Sequence, residues 1–282
     1  MRNNKIDFNK NFKKVLIIYA AIFLAGIVFM FIPGFGVKLD INFSGGTKIA
    51  YSYTGDVKDA DIESAVKEII KKSFTVSKST SLTGDTKTFE ISLVGKNSVS
   101  AEDQEKLTTT LNEKFKDNKV ELYNSNSVSP TVAGSFFLKS LVAVLITAIL
   151  VVIYVGIRFK RIGGISAAIT ALCALVFDVF ITFFTCVFFR LQLDSNYIAV
   201  VLTILGYSLN DTIVIYDRIR ENQTLLPGTQ IQELVNISDS QSLRRSIRTS
   251  VTTFSSMLIV TIVALVMGLD SILSFSVPMM AG

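Results

Sequence analysis

The stretch IAVVLTILGYSLNDTIVIYDRIREN (198–222) decides how this chain is read. It begins as an apolar run, carries Asp211 in its interior, resumes with Thr212, Ile213, Val214 and Ile215, and ends in Asp217-Arg218-Ile219-Arg220-Glu221. The final cluster reads as the charged end of a membrane helix. Asp211, about two turns deeper, is not explained that way. An ionised carboxylate in hydrocarbon costs about 2.5–3.5 kcal/mol on insertion scales. A carboxylate at this depth therefore implies a bundle interior, a water-filled path or a partner.

Working outward, the whole chain is built for a bilayer. Half of its 282 residues are hydrophobic and only 18% are charged, too apolar for a soluble domain of this length. A hydrocarbon core of ~30 Å needs about 20 apolar residues per helix. The candidate spans are 15–35, 135–157, 162–189, 197–217 and 245–269. A sixth apolar run, 272–282, is too short to cross and reads as a truncated span. The first run ends in Phe31-Ile32-Pro33-Gly34-Phe35 rather than a small-residue cleavage site, so it is read as a span and not a cleaved signal peptide.

Lysine and arginine set the expected orientation. Arg2, Lys5, Lys10, Lys13 and Lys14 precede the first span, Arg158, Lys160 and Arg161 join the second and third, and Arg218, Arg220, Arg244, Arg245 and Arg248 lie between the fourth and fifth. The loop between the third and fourth carries only Arg190, beside Asp194. The N-terminus (1–14) and the loop 218–244 are thus expected in the cytoplasm, and residues 36–134 on the other side of the membrane.

That outer segment alternates in pattern. Val37–Tyr53 reads as a strand or bulged strand pair with Gly45-Gly46 at a sharp bend. Ile62, Ala65, Val66, Ile69 and Ile70 recur at helical spacing. Val76–Leu82 and Thr86–Val94 suggest a hairpin around Thr83-Gly84-Asp85, Ser100 caps a second helix reaching Phe115, and Lys119–Asn124 is a last strand. The order β-α-β-β-α-β predicts a ferredoxin-like α+β domain, linked by 125–134 to the second span. The expected fold class is a multi-span α-helical membrane protein, five complete spans plus a truncated sixth, with this domain inserted.

Several chemistries are excluded. The chain has no histidine, which removes Ser-His-Asp triads and histidine proton relays. Cys173 and Cys186 lie thirteen residues apart in one span, ~20 Å along a helix and beyond disulfide reach. The outer segment is close to charge-balanced, which argues against nucleic acid. Gly45-Gly46-Thr47-Lys48 lacks phosphate-loop spacing and a following helix. No enzymatic activity, cofactor or metal is expected.

The residues left to carry function are polar groups inside spans. Asp178 sits in ALVFDVFITFF (174–184), and Asn210 and Ser208 accompany Asp211. Arg245, Thr249, Thr252 and Ser256 recur at i, i+4, i+7 and i+11, which places one cation and three hydroxyls on one helix face. A polar stripe running into a span faces other helices or water rather than lipid. Burial raises a carboxylate's pKa and a neighbouring cation lowers it, so an Asp211–Arg245 pair would form a switchable proton or sodium site. An intramembrane aspartyl protease would also use two carboxylates, but neither Asp178 nor Asp211 has the glycine-flanked setting of such enzymes. A passive scaffold without ion coupling is the other alternative.

GYSLNDTIVIYDRIREN (206–222) resembles the span-four signature of the bacterial SecD/SecF protein-export family, within the resistance-nodulation-division transporter superfamily, and NISDSQSLRRSIRTSVTT (236–253) is similar to its approach to span five. The resemblance implies an accessory subunit of the Sec translocase that pairs with SecD, associates with the SecYEG channel and uses the ion-motive force to assist late preprotein export. It also implies ion-coupling roles for Asp211, Arg245 and Asp178. The family's outer D-F-x-G-G motif appears here as Asn42-Phe43-Ser44-Gly45-Gly46. Asn42 stands at the usual aspartate, which weakens an ionic role for the motif residues Phe43, Gly45 and Gly46 and leaves the backbone role of the glycines.

Overall fold

The computed structural model describes residues 8–32, 35–70, 74–80, 87–95 and 99–282. The turn expected at Thr83–Asp85, together with Arg2, Lys5, Pro33 and Gly34, lies outside the described residues.

The domain expected outside the membrane folds because two periodicities meet. Strand β2 (Gly46–Tyr53) buries Ile49, Tyr51 and Tyr53, and β4 (Lys87–Val94) buries Phe89, Ile91 and Leu93. Each strand thus turns every second side chain toward one face. Helix α3 (Asp59–Ile69) returns Ile62, Ala65 and Val66, and α4 (Ala101–Lys114) returns Leu107 and Leu111, to the same core. Ser100 caps α4, its hydroxyl accepting the Asp103 N–H at 3.1 Å. With β3 (Thr75–Thr80) and β5 (Glu121–Val128) the sheet order is β3-β4-β2-β5, antiparallel throughout. This is the split β-α-β arrangement of a ferredoxin-like domain.

Among the described residues, five helices are long and apolar enough to cross a bilayer. They are α1 (Phe8–Met30), α5 (Pro130–Arg158), α6 (Gly164–Phe188), α7 (Ser195–Leu225) and α8 (Ile231–Met267). The chain is a multi-pass membrane protein. Lipid supplies no hydrophobic drive for helix association, so small side chains and close fits bring helices together. Ala167, Ala168 and Ala171 of α6 pack with Val151 and Val155 of α5 and with Val201 and Leu205 of α7. A ring zipper holds α1 to α6: Tyr19 stacks on Phe177 at 4.2 Å and Phe23 meets Phe180 edge-on at 4.9 Å.

Three boundaries differ from expectation. The segment read as one bulged strand pair is broken: β1 (Lys38–Leu39) is followed by a single helical turn, α2 (Ile41–Ser44), before β2. Asp40 caps that turn and Gly45, at φ +78°, ends it. β1 does not join the domain's sheet but pairs in parallel with β6 (Gln192–Leu193), between α6 and α7. Second, the expected linker 125–134 is mostly ordered structure. β5 runs to Val128, Ser129 caps α5 and Pro130 occupies its first turn, where a missing N–H is harmless. Third, the expected loop 218–244 is nearly all helix, and only residues 226–230 separate α7 from α8. The last run forms a short helix, α9 (Asp270–Ala281), packed against α6, α7 and α8.

Candidate functional site

Two polar contacts define the seam between α7 and α8. Tyr207 and Thr253 share a hydrogen bond at 2.8 Å, and Asn222 donates to the Ser238 hydroxyl at 2.8 Å. The contacts are fifteen residues apart on both helices, so the helices run antiparallel in one continuous register. That register places Asp211 level with Thr249 and Arg245 level with Ile215, one turn or ~6 Å away along the axis.

The expected pair of Asp211 with Arg245 is not formed. Asp211 is half-buried and Arg245 is exposed, and among the described residues no ion pair or side-chain hydrogen bond joins either to a partner. Helical spacing puts Arg245, Thr249, Thr252 and Ser256 on the same side of α8 as its buried Leu234, Ser238 and Ser242 and as Thr253. Along that side Ser238 and Ser242 are covered, whereas Arg245, Thr252 and Ser256 are exposed and Thr249 is half-buried. The hydroxyls of Thr249, Thr252 and Ser256 each donate to the carbonyl four residues earlier, on Arg245, Arg248 and Thr252, at 2.8–3.0 Å. The stripe shares the seam side of α8, yet this chain leaves Arg245, Thr252 and Ser256 uncovered.

Asp178 is half-buried on α6, within electrostatic reach of the Ser208 hydroxyl of α7. Ser208 lies one turn from Asp211 on the same helix, and its carbonyl accepts the Thr212 hydroxyl at 3.2 Å. Asp178, Ser208 and Asp211 therefore form a short polar path across α6 and α7. Asn210 is exposed beside it.

Toward the α7–α8 turn the seam closes with a network that sequence reading missed. Asn222, 3% exposed, also donates to Gln241 at 2.9 Å, and Arg218 donates to the same Gln241 oxygen at 2.7 Å. Asp217 holds both Arg158 of α5, at 3.2 Å, and Arg220, at 2.8 Å. Tyr216 donates to the Ala167 carbonyl of α6 at 2.9 Å. The recurrence of Ser238 and Ser242 at four-residue spacing was the available signal.

The outer motif is a joint between domain and bundle. Phe43 is buried with its ring 5.6 Å from Phe136 and 5.8 Å from Phe137 of α5. Neither glycine tolerates a side chain. A Cβ on Gly45 would come within 2.9 Å of Pro130 backbone, and one on Gly46 within 2.0 Å of the Leu93 carbonyl oxygen. The carboxylate absent at position 42 is supplied two residues earlier. Asp40, 1% exposed, pairs with Lys48 at 2.7 Å and accepts the Asn42 amide at 2.7 Å. Burial works to lower the pKa of Lys48, but Asp40 and Glu90 outweigh it and hold it above the ordinary lysine value.

Residues 107–282 match the family described as protein export membrane protein SecD/SecF, C-terminal. The chain is 33% identical over 254 residues to the protein translocase subunit SecF of Borreliella burgdorferi, covering 88% of this chain and 83% of that one. It is 40% identical over 159 residues to the protein translocase subunit SecDF of Bacillus subtilis, covering 55% of this chain. Among solved structures it is similar to SecDF of Thermus thermophilus, described as a translocon-associated membrane protein, at a TM-score of 0.74 and 27% identity over 99% of this chain. The chain spans only a fifth of the Bacillus subtilis SecDF sequence and 36% of the solved SecDF chain.

Proposed function

The chain belongs to the SecD/SecF family of protein-export membrane proteins, and from that premise we propose that it is a SecF-type accessory subunit of the Sec protein translocase. In this reading it works beside a SecD-type partner and the SecYEG channel. It draws on the proton or sodium motive force to assist late preprotein export and performs no catalysis of its own. The N-terminus and the α7–α8 turn face the cytoplasm and the ferredoxin-like domain faces outward, as the distribution of lysine and arginine favours.

The observation that carries the proposal is the exposed polar face of α7 and α8. Arg245, Thr252, Ser256 and Asn210 are exposed on helices apolar enough to span a bilayer. Such groups are costly against lipid and belong against protein or water. A second membrane subunit covering this face would enclose Asp211 and Arg245 in a polar cleft between the two chains. The SecDF relatives, much longer than this chain, make a SecD-type half the natural occupant.

A charge moved through the membrane potential yields about 2.3 kcal/mol per 100 mV, which supplies the drive without a nucleotide. Asp211 then alternates between a protonated state and an ionised state that attracts Arg245, and the two states favour different placements of α7. Export of a reporter preprotein in cells tests this. Asp211→Asn is expected to abolish force-dependent export while the chain still inserts in the membrane. Unchanged export with both Asp211→Asn and Arg245→Ala would instead mark a passive scaffold.

A further inference from the structure

The outer domain is attached to the bundle at two places that answer to different helices. One is α5. β5 continues through Ser129 directly into α5, Gly45 touches Pro130 backbone, and Phe43 wedges against Phe136 and Phe137. The other is the turn between α6 and α7. There β1 pairs with β6, the Asp40 N–H donates to the Leu193 carbonyl at 3.0 Å, and the Arg190 guanidinium lies 5.1 Å over the Phe35 ring.

The second attachment is clamped to α7. Asp194, immediately after β6, caps the helix by accepting the Tyr197 N–H at 3.1 Å, and its other oxygen accepts Asn196 and the Ser274 hydroxyl of α9, both at 3.0 Å. From that cap α7 is a single helix through Asp211 to Leu225. Asp211 and the cap are thus about 24 Å apart on one rod. Between the two attachments stands only the four-residue turn α2.

We propose that the β1–β6 pair is the tie that carries movement of α7 to the outer domain, with α2 resting on α5 as the pivot. A shift of α7 along or about its axis moves Leu193. Leu193 draws Leu39 and Asp40 with it, and the domain, held at Phe43 and Gly45, tilts. The pivot turn is short and buried and its ends are fixed by Asp40 and Gly45, so it transmits the pull rather than absorbing it. This inference rests on the proposed coupling at Asp211.

The test is to slacken the tie without cutting it. Three glycines inserted between Leu193 and Asp194 leave the β1–β6 pairing possible but free α7 from it. The same insertion between Thr229 and Gln230, in the α7–α8 turn, is the control. Spin labels on the exposed residues Thr109 of α4 and Ser135 of α5, with Cys173 and Cys186 changed to alanine, report the tilt by pulsed dipolar spectroscopy in nanodiscs. The label distance is expected to differ between the parent chain and Asp211→Asn, and the Leu193 insertion to erase that difference while the control keeps it. In export assays the Leu193 insertion should remove the response to an ion gradient with Asp211 intact. A difference that survives the insertion undiminished overturns the tie, and so does a distance indifferent to Asp211→Asn when export depends on Asp211. Export indifferent to Asp211→Asn is a separate failure, that of the coupling itself.

Discussion

Asp211 and Gly46 stand for two kinds of necessity at the scale of single residues. Gly46 is fixed by sterics: at φ +139°, with a Cβ that would sit 2.0 Å from the Leu93 carbonyl oxygen, it admits no side chain. Gly46→Ala is expected to destabilise the outer domain by about 3 kcal/mol or more, read as faster amide exchange in β2 and β4 with the membrane helices unaffected. In the proposed function Asp211 is fixed by chemistry instead, and no ion pair or side-chain hydrogen bond among the described residues calls for a carboxylate there. Its position was legible in the sequence, since an acidic residue inside an apolar run is conspicuous. Its relation to Arg245 was not. Helical spacing says which residues share a face of α8 but not which positions along that face a neighbouring helix covers.

At the scale of elements, α7 and α8 outrun the bilayer, and the polar network beside their connecting turn accounts for it. A 31-residue helix is about 46 Å long, well beyond a hydrocarbon core of ~30 Å. Past the core, backbone hydrogen bonds compete with water, and the buried amide of Asn222 with Ser238 and Gln241 holds the pair together. Asn222→Ala should cost about 2 kcal/mol, because it removes a buried donor from the Ser238 hydroxyl and leaves the Gln241 oxygen with Arg218 alone. In a double-mutant cycle with Ser238→Ala, about 1 kcal/mol of coupling is expected from unfolding in detergent. Additivity would show that the contact holds nothing. These helical extensions were hidden in the sequence because their residues, Gln, Asn and Ser among charges, read as loop; tertiary pairing overrides that composition. The outer domain was legible for the opposite reason. Its alternation in β2 and β4 and its Ser100 cap are local signals, whereas the β1–β6 pair joins residues more than 150 positions apart and leaves no local trace.

The molecule as a whole is a helix bundle with a polar membrane face, joined to a ferredoxin-like domain through β1–β6 and α2. In the proposed function a second subunit covers the exposed stripe. Cysteine introduced at Thr252 or Ser256 is therefore expected to cross-link to a SecD-type partner in membranes and to escape labelling by a lipid-soluble maleimide. Efficient labelling from the lipid phase, without cross-linking, would place that face toward lipid. Gradient-driven export is the most direct measure of the central claim. Vesicles holding the chain with SecD-type and SecYEG partners are given a proton gradient and, separately, a sodium gradient, and preprotein export is followed. The account predicts that one gradient accelerates export several-fold and that Asp211→Asn abolishes the acceleration while export in the absence of a gradient stays the same. Acceleration that persists in Asp211→Asn would contradict it.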